Sequence, residues 1–244
     1  MGFKNHESEL LERLGFDVEV VELLKIESKA QLLPFEPEPG TVLGTAVRVS
    51  DGDAAEKFIK ALQPRLLQKG YRLFWTNVRD AYGSKPDDAV ALLHSTDHFS
   101  IVDASKPCAE SHPGPELIRD KIRSFESICD LEVVGAAHDW VAVTFKTLPG
   151  DLCSFAEDVY LFCPDSCDLN SGIGEKRENK TAGARAAAKA LCPALSQKFL
   201  DAHREMFAHQ DSETYEMLLD DAKWSVRLLA KKLKAEMYFF FWWD

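Results

Sequence analysis

The chain carries six consecutive aromatic residues, Tyr238-Phe239-Phe240-Phe241-Trp242-Trp243, followed by Asp244. An extended run this apolar invites pairing with another chain when it is left bare, so the fold must bury it. We expect a central strand covered on at least one face by helices. Counted from Met237 the run is far too short to cross a bilayer, which takes about 20 apolar residues.

Upstream, strand and helix periods alternate. Val42–Val49 is β-branched and strand-like. Asp53 stands three residues before Glu56 in the manner of a capping box, and Ala55, Phe58, Ile59, Leu62 and Leu66 share a helical face that Gly70 stops. Pro64 inside that face predicts a kink or two short helices. Strands follow at Tyr71–Val78 and Ala89–His94, separated by a turn over 79–86. Pro115 then opens a helix whose stripe is Ile118, Ile122, Phe125 and Ile128. Leu131–Ala137 and Trp140–Thr147 read as strands joined at His138-Asp139. Leu152, Phe155, Ala156, Val159 and Tyr160 form the next helix, ended at Cys163 by Pro164. Residues 165–180, with Gly172, Gly174 and the run Glu175-Lys176-Arg177-Glu178, read as loop. Three helices are then expected, over Ala182–Leu191, around Leu195–Met206 and around Leu218–Leu233. At the other end, Leu10, Leu11 and Leu14 suggest a short helix stopped by Gly15, and Val18, Val20 and Val21 look strand-like.

The order β-α-β-β-α-β, then β-α, helices and β, specifies an α+β fold. It is a mixed sheet with helices mainly on one face, ferredoxin-like βαββαβ elements and an appended helical insertion. The implied division is an N-terminal extension over 1–40, a main domain over 41–174 plus 236–244, and the insertion over 175–235. A hydrophobic content of 45% supports a packed core.

Asp and Glu number 40 against 29 Lys and Arg, a net charge of −11. That balance disfavours nucleic acid and anionic membranes, which need clustered cations, and suits a basic partner. The first residues carry no apolar run, so no secretion signal is read and a cytoplasmic, reducing setting is expected. The cysteines at 108, 129, 153, 163, 167 and 192 then read as free thiols.

Candidate chemistry gathers in three segments: His138, Asp139 and Trp140; Cys163, Asp165 and Asp168; and Trp242, Trp243 and Asp244. The second sits at a helix C-terminus, where carbonyls favour cations, so a basic group or a metal can dock there. The alternative is a helix stop with Cys163 buried and Asp165 bonding local amides. Cys163 with His138 and Asp139 has the residue types of a nucleophile, base and orienter, but a thiol at a helix C-terminus has a raised pKa. Trp242, Trp243 and Asp244 read either as an acidic clamp with an aromatic face for a cation or as core packing. Cys163 and Cys167 lack a second ligand pair, and His203 and His209 point to different helix faces, so no metal and no cofactor is expected. Walker, dinucleotide, zincin and nucleophile-elbow motifs are missing.

Gly135-Ala136-Ala137-His138-Asp139-Trp140-Val141, Phe162-Cys163-Pro164-Asp165 and the closing Phe241-Trp242-Trp243-Asp244 together resemble the bacterial domain-of-unknown-function family 4253. Its members show G-x-x-x-D-W, F-C-P-D and W-W-D in this order. The resemblance covers roughly residues 90–170 and 236–244. It implies an α+β fold and a bacterial cytosolic setting, and no activity. Two departures stand out: about 60 residues of helix precede the last strand, and Glu110-Ser111-His112-Pro113-Gly114 replaces the segment expected before the second helix.

The functional expectation is a non-catalytic binding or protein-interaction protein, of the immunity or toxin-neutralising kind, with a basic protein or a small cationic ligand as partner. The alternative is an enzyme or small-ligand binder with a site between the 138–140 turn, the 163–168 loop and Trp242-Trp243-Asp244. A homodimer formed through the insertion is a third expectation.

Overall fold

The computed structural model describes residues 5–78, 86–107, 114–171 and 182–243. The expected turn over 79–86, Cys108, the loop over 172–180 and Asp244 thus lie wholly or mostly outside the described residues. The fold is α+β, with helices α1 (Asn5–Leu14), α2 (Val18–Ser28), α3 (Gly52–Leu67), α4 (Ser100–Ser105), α5 (Pro115–Glu126), α6 (Leu152–Phe162), α7 (Pro164–Ser171), α8 (Ala182–Leu191), α9 (Gln197–Met206) and α10 (Ser212–Glu236). The strands are β1 (Leu33–Phe35), β2 (Gly44–Arg48), β3 (Arg72–Val78), β4 (Asp87–Leu93), β5 (Leu131–Ala136), β6 (Trp140–Phe145) and β7 (Tyr238–Trp242). They form a mixed sheet in the order β1-β2-β4-β3-β5-β6-β7. β4 pairs antiparallel with both β2 and β3, and β5 adds parallel to β3. β2-α3-β3 is therefore a split unit with β4 inserted between its strands.

Two compact units divide the chain, one over residues 1–121 and 133–142, the other over 122–132 and 143–244. In the first, Leu11, Val20, Val21, Leu24, Leu62 and Leu66 pack with Leu73, Val90 and Leu92 of the sheet. The strand-like valines at 18–21 are helical. Asp17 caps α2 by accepting the Glu19 amide at 3.0 Å, and its own amide donates to the Tyr71 hydroxyl at 2.8 Å. Capping and burial of Val20 and Val21 outweigh the small helix penalty of β-branching. Glu7 is fully buried, and it accepts from Lys25 Nζ at 2.5 Å and from the Leu32 amide at 3.2 Å. That satisfies a charge whose unpaired burial would cost several kcal/mol. α3 is capped by Asp51, not Asp53, and it continues through Pro64 as one helix.

In the second unit α6 ends at Cys163 as expected, but Pro164 begins α7. Proline stops one helix and suits the first position of the next, where its missing N–H is no loss. Only that second property was missed. β7 lies at the end of the strand order, not in the centre. Phe239, Phe241 and Trp243 are buried while Tyr238, Phe240 and Trp242 are half-buried. The run is thus a one-sided strand, with Phe241 and Trp243 stacked at 6.0 Å and Phe162 edge-on to Trp243 at 5.8 Å. α10 passes into β7 through Met237, whose left-handed φ of 54° turns the chain and whose amide bonds Leu233. Ile128, expected in the α5 stripe, is 54% exposed because α5 ends at Glu126.

Cys153 and Cys192 form a disulfide with Cα atoms 5.2 Å apart, within the ordinary span for such a bond. This corrects the expectation of six free thiols. Cys129, Cys163 and Cys167 are free and buried. Among the described residues no helix is long and apolar enough to cross a membrane.

Candidate functional site

The first candidate segment is built on β5 and β6. Gly135 pairs with Trp75 of β3. A Cβ at this position would stand 2.8 Å from the Trp75 carbonyl oxygen and 3.0 Å from the Trp140 ring, so only glycine fits. Over it the Trp75 and Trp140 rings approach to 4.5 Å. Trp140 Nε1 donates to Asn77 Oδ1 at 2.7 Å, and Trp75 Nε1 donates to Asp88 Oδ1 at 2.8 Å. Both indole N–H groups are thereby satisfied, which buried tryptophans require. His138 is exposed and Asp139 half-exposed in the turn, closed by the Ala137 amide bonding the Trp140 carbonyl at 3.0 Å. The glycine and tryptophan of this segment are packing residues.

The second and third segments meet inside the second unit. Cys163 closes α6, donating its amide to Val159 at 3.0 Å, and stands immediately before Pro164 and Asp165 in the first turn of α7. Its sulfur lies 2.9 Å from Ser166 Oγ. The Trp242 carbonyl receives Cys163 Sγ at 3.0 Å and Ser166 Oγ at 2.9 Å, and the Trp242 amide donates to Ser166 Oγ. Capping residues of α7 thus occupy the polar groups of an edge strand, one way a fold protects such an edge. Trp243 is buried, with its indole nitrogen unpartnered among the described residues.

These positions change the electrostatic reading. Asp165 lies at a helix N-terminus, which favours anions, and not at the C-terminus expected from sequence. Burial pushes the Cys163 thiol up to about 11, against the opposing pull of its bonds with Ser166 and Trp242. The raised value was foreseen; its main cause is desolvation, not a helix C-terminus. A thiol so placed is almost wholly protonated at neutral pH and is a poor nucleophile.

His138, Asp139 and Trp140 belong to the first unit; Cys163, Asp165, Trp242 and Trp243 belong to the second. The Asp168 side chain and Asp244 lie outside the described residues. Trp75, Asn77, Asp88 and Ser166 were missed in the sequence. Of these only Ser166 had a local signal, standing three residues past the Cys163 that precedes proline. Among the described residues no group of three His, Cys, Asp or Glu side chains is placed to hold a metal ion.

The second unit also carries an open groove of about 350 Å³, lined by Ile128, Pro149, Asp151, Ser154, Phe155 and Asp158. Asp151 caps α6 through the Ser154 amide at 3.0 Å. Asp158 pairs with Lys198 at 2.9 Å, and the lysine is 75% exposed. Two carboxylates and the exposed Ile128 therefore line one groove.

Neither a curated protein nor a solved structure matches the chain. A family model does, described as a domain of unknown function, DUF4253, over residues 89–244. That span takes in the three motif segments and the helices over 175–235 that the sequence set apart as an insertion, and it leaves out residues 1–88. Since it covers well over half the sequence, the chain belongs to the DUF4253 family.

Proposed function

We propose that this chain is a non-catalytic binding protein for a basic protein partner, of the immunity kind. The observation that carries the reading is the groove over Ile128 and Phe155, edged by Asp151 and Asp158. A groove of about 350 Å³ has room for an arginine or lysine side chain laid along apolar carbon with its charge toward the carboxylates. Ile128 supplies the exposed aliphatic surface. The Asp158–Lys198 pair is an exposed one of little net worth, so an incoming guanidinium can displace the lysine. The net charge of −11 steers a cationic partner toward the chain. A buried, protonated Cys163 supports the non-catalytic part.

The test is affinity capture from the native host at moderate salt, with the wild-type chain beside Ile128→Glu and Asp158→Lys. We expect a stoichiometric basic partner held by the wild type and released by both variants. No stoichiometric partner, or one retained by both variants, would count against the reading.

A further inference from the structure

His203, on α9, has no solvent exposure, and neither ring nitrogen has a hydrogen-bond partner among the described residues. Buried imidazoles ordinarily bond at least one nitrogen. This one sits among rings: Phe207 at 4.7 Å, Tyr215 at 5.7 Å, Phe199 at 5.9 Å and Tyr160 at 6.4 Å. The Tyr215 hydroxyl is also buried and unpartnered among the described residues. Tyr160 faces the imidazole from α6; Tyr215 faces it from α10, and Lys223 of α10 acts on it as the nearby charge. The buried carboxylate of α6, Glu157, is taken up by the Ser196 amide at 2.7 Å and the Ser196 hydroxyl.

We propose that His203 is an acid-triggered release for α9, holding it against α6 and α10 while neutral and freeing it on protonation. Neutral imidazole behaves in this box as one more aromatic ring. The protonated ring would carry two donors with no acceptor in reach among the described residues, near a lysine of the same sign. Attraction of the cation to the nearest rings offsets part of that cost, and the cost of an unpaired buried charge exceeds it. Desolvation, with Lys223 adding to it, holds the folded-state pKa below the ordinary histidine value of about 6.5. The sign follows. A depressed folded value means the released form binds the proton more tightly. Protection of α9 is then complete above the ordinary value and is lost as pH falls below it.

The experiment is hydrogen exchange on the full chain between pH 7.5 and pH 5, corrected for the intrinsic pH dependence of exchange, with wild type beside His203→Phe. Exchange over 197–206 should rise on the order of tenfold in the wild type at the acid end and stay flat in the variant. Equal acid sensitivity in both, or none in the wild type, overturns the proposal. Should His203→Phe fail to fold, histidine-selective carbon NMR of the wild type decides. One histidine should titrate clearly below the ordinary value of about 6.5, together with the α9 exchange. No histidine titrating below the ordinary value refutes the proposal.

Discussion

Ser166 and Trp242 are bonded twice: the Trp242 amide donates to Ser166 Oγ, and the same oxygen donates to the Trp242 carbonyl at 2.9 Å. One hydroxyl at the start of α7 thus satisfies both main-chain groups of a residue near the end of an edge strand. Cys163 adds its sulfur to the same carbonyl. Two of the three motif segments are therefore parts of one joint.

Ser166→Ala removes both bonds, taking the acceptor from the Trp242 amide while its carbonyl keeps only Cys163 among the described residues. We expect a loss of about 1–3 kcal/mol in urea unfolding, with an unchanged slope. A variant as stable as wild type would show that the joint is not holding β7.

Gly135→Ala places a methyl 2.8 Å from the Trp75 carbonyl oxygen, a main-chain atom that cannot step aside. The strand must shift, at a cost of roughly 1–3 kcal/mol, and the tryptophan fluorescence should change with the Trp75–Trp140 packing. Trp140→Phe keeps one aromatic ring and loses the nitrogen-bearing one with its 2.7 Å bond to Asn77. It should cost less, about 1 kcal/mol by the same unfolding measurement.

Cys153 and Cys192 are separated by 39 positions. In the chain-entropy account, closing such a loop stabilises the folded state by roughly 4 kcal/mol. In oxidised protein, unfolded without reductant, Cys153 and Cys192 should resist alkylation, and both should alkylate after reduction. Cys153→Ser should lower the unfolding midpoint only when compared with the oxidised wild type. Six free thiols in oxidised protein would contradict the bond.

Apart from the short α4, which was not expected, the strands and helices between 42 and 163 were legible because their periods are local and their ends carry Gly, Pro or Asp. What escaped depends on partners distant in sequence. Val20 and Val21 read as strand until the surface that buries them is known. Pro164 read as a stop because residues beyond 171 are loop-like in composition, which concealed the short helix it starts. The aromatic run does demand cover, as expected, but hydrophobicity cannot tell a strand flanked by strands from an edge strand whose polar groups meet a helix start. Gly135 owes its need for glycine to Trp75, sixty residues away, and His203 stood out in sequence only as half of a rejected ligand pair. Cys163 was singled out, with its burial and raised pKa among the readings of the sequence, though its contact with Ser166 was not.

The account rests on Cys163 being a structural thiol, and its native alkylation rate tests that most directly. Iodoacetamide labelling of Cys163, followed by peptide mass spectrometry at pH 7, should proceed only as fast as the unit unfolds, orders of magnitude below the rate in denaturant. Labelling of the native protein faster than a free thiol would mean an activated nucleophile, and with it the enzyme reading set aside above.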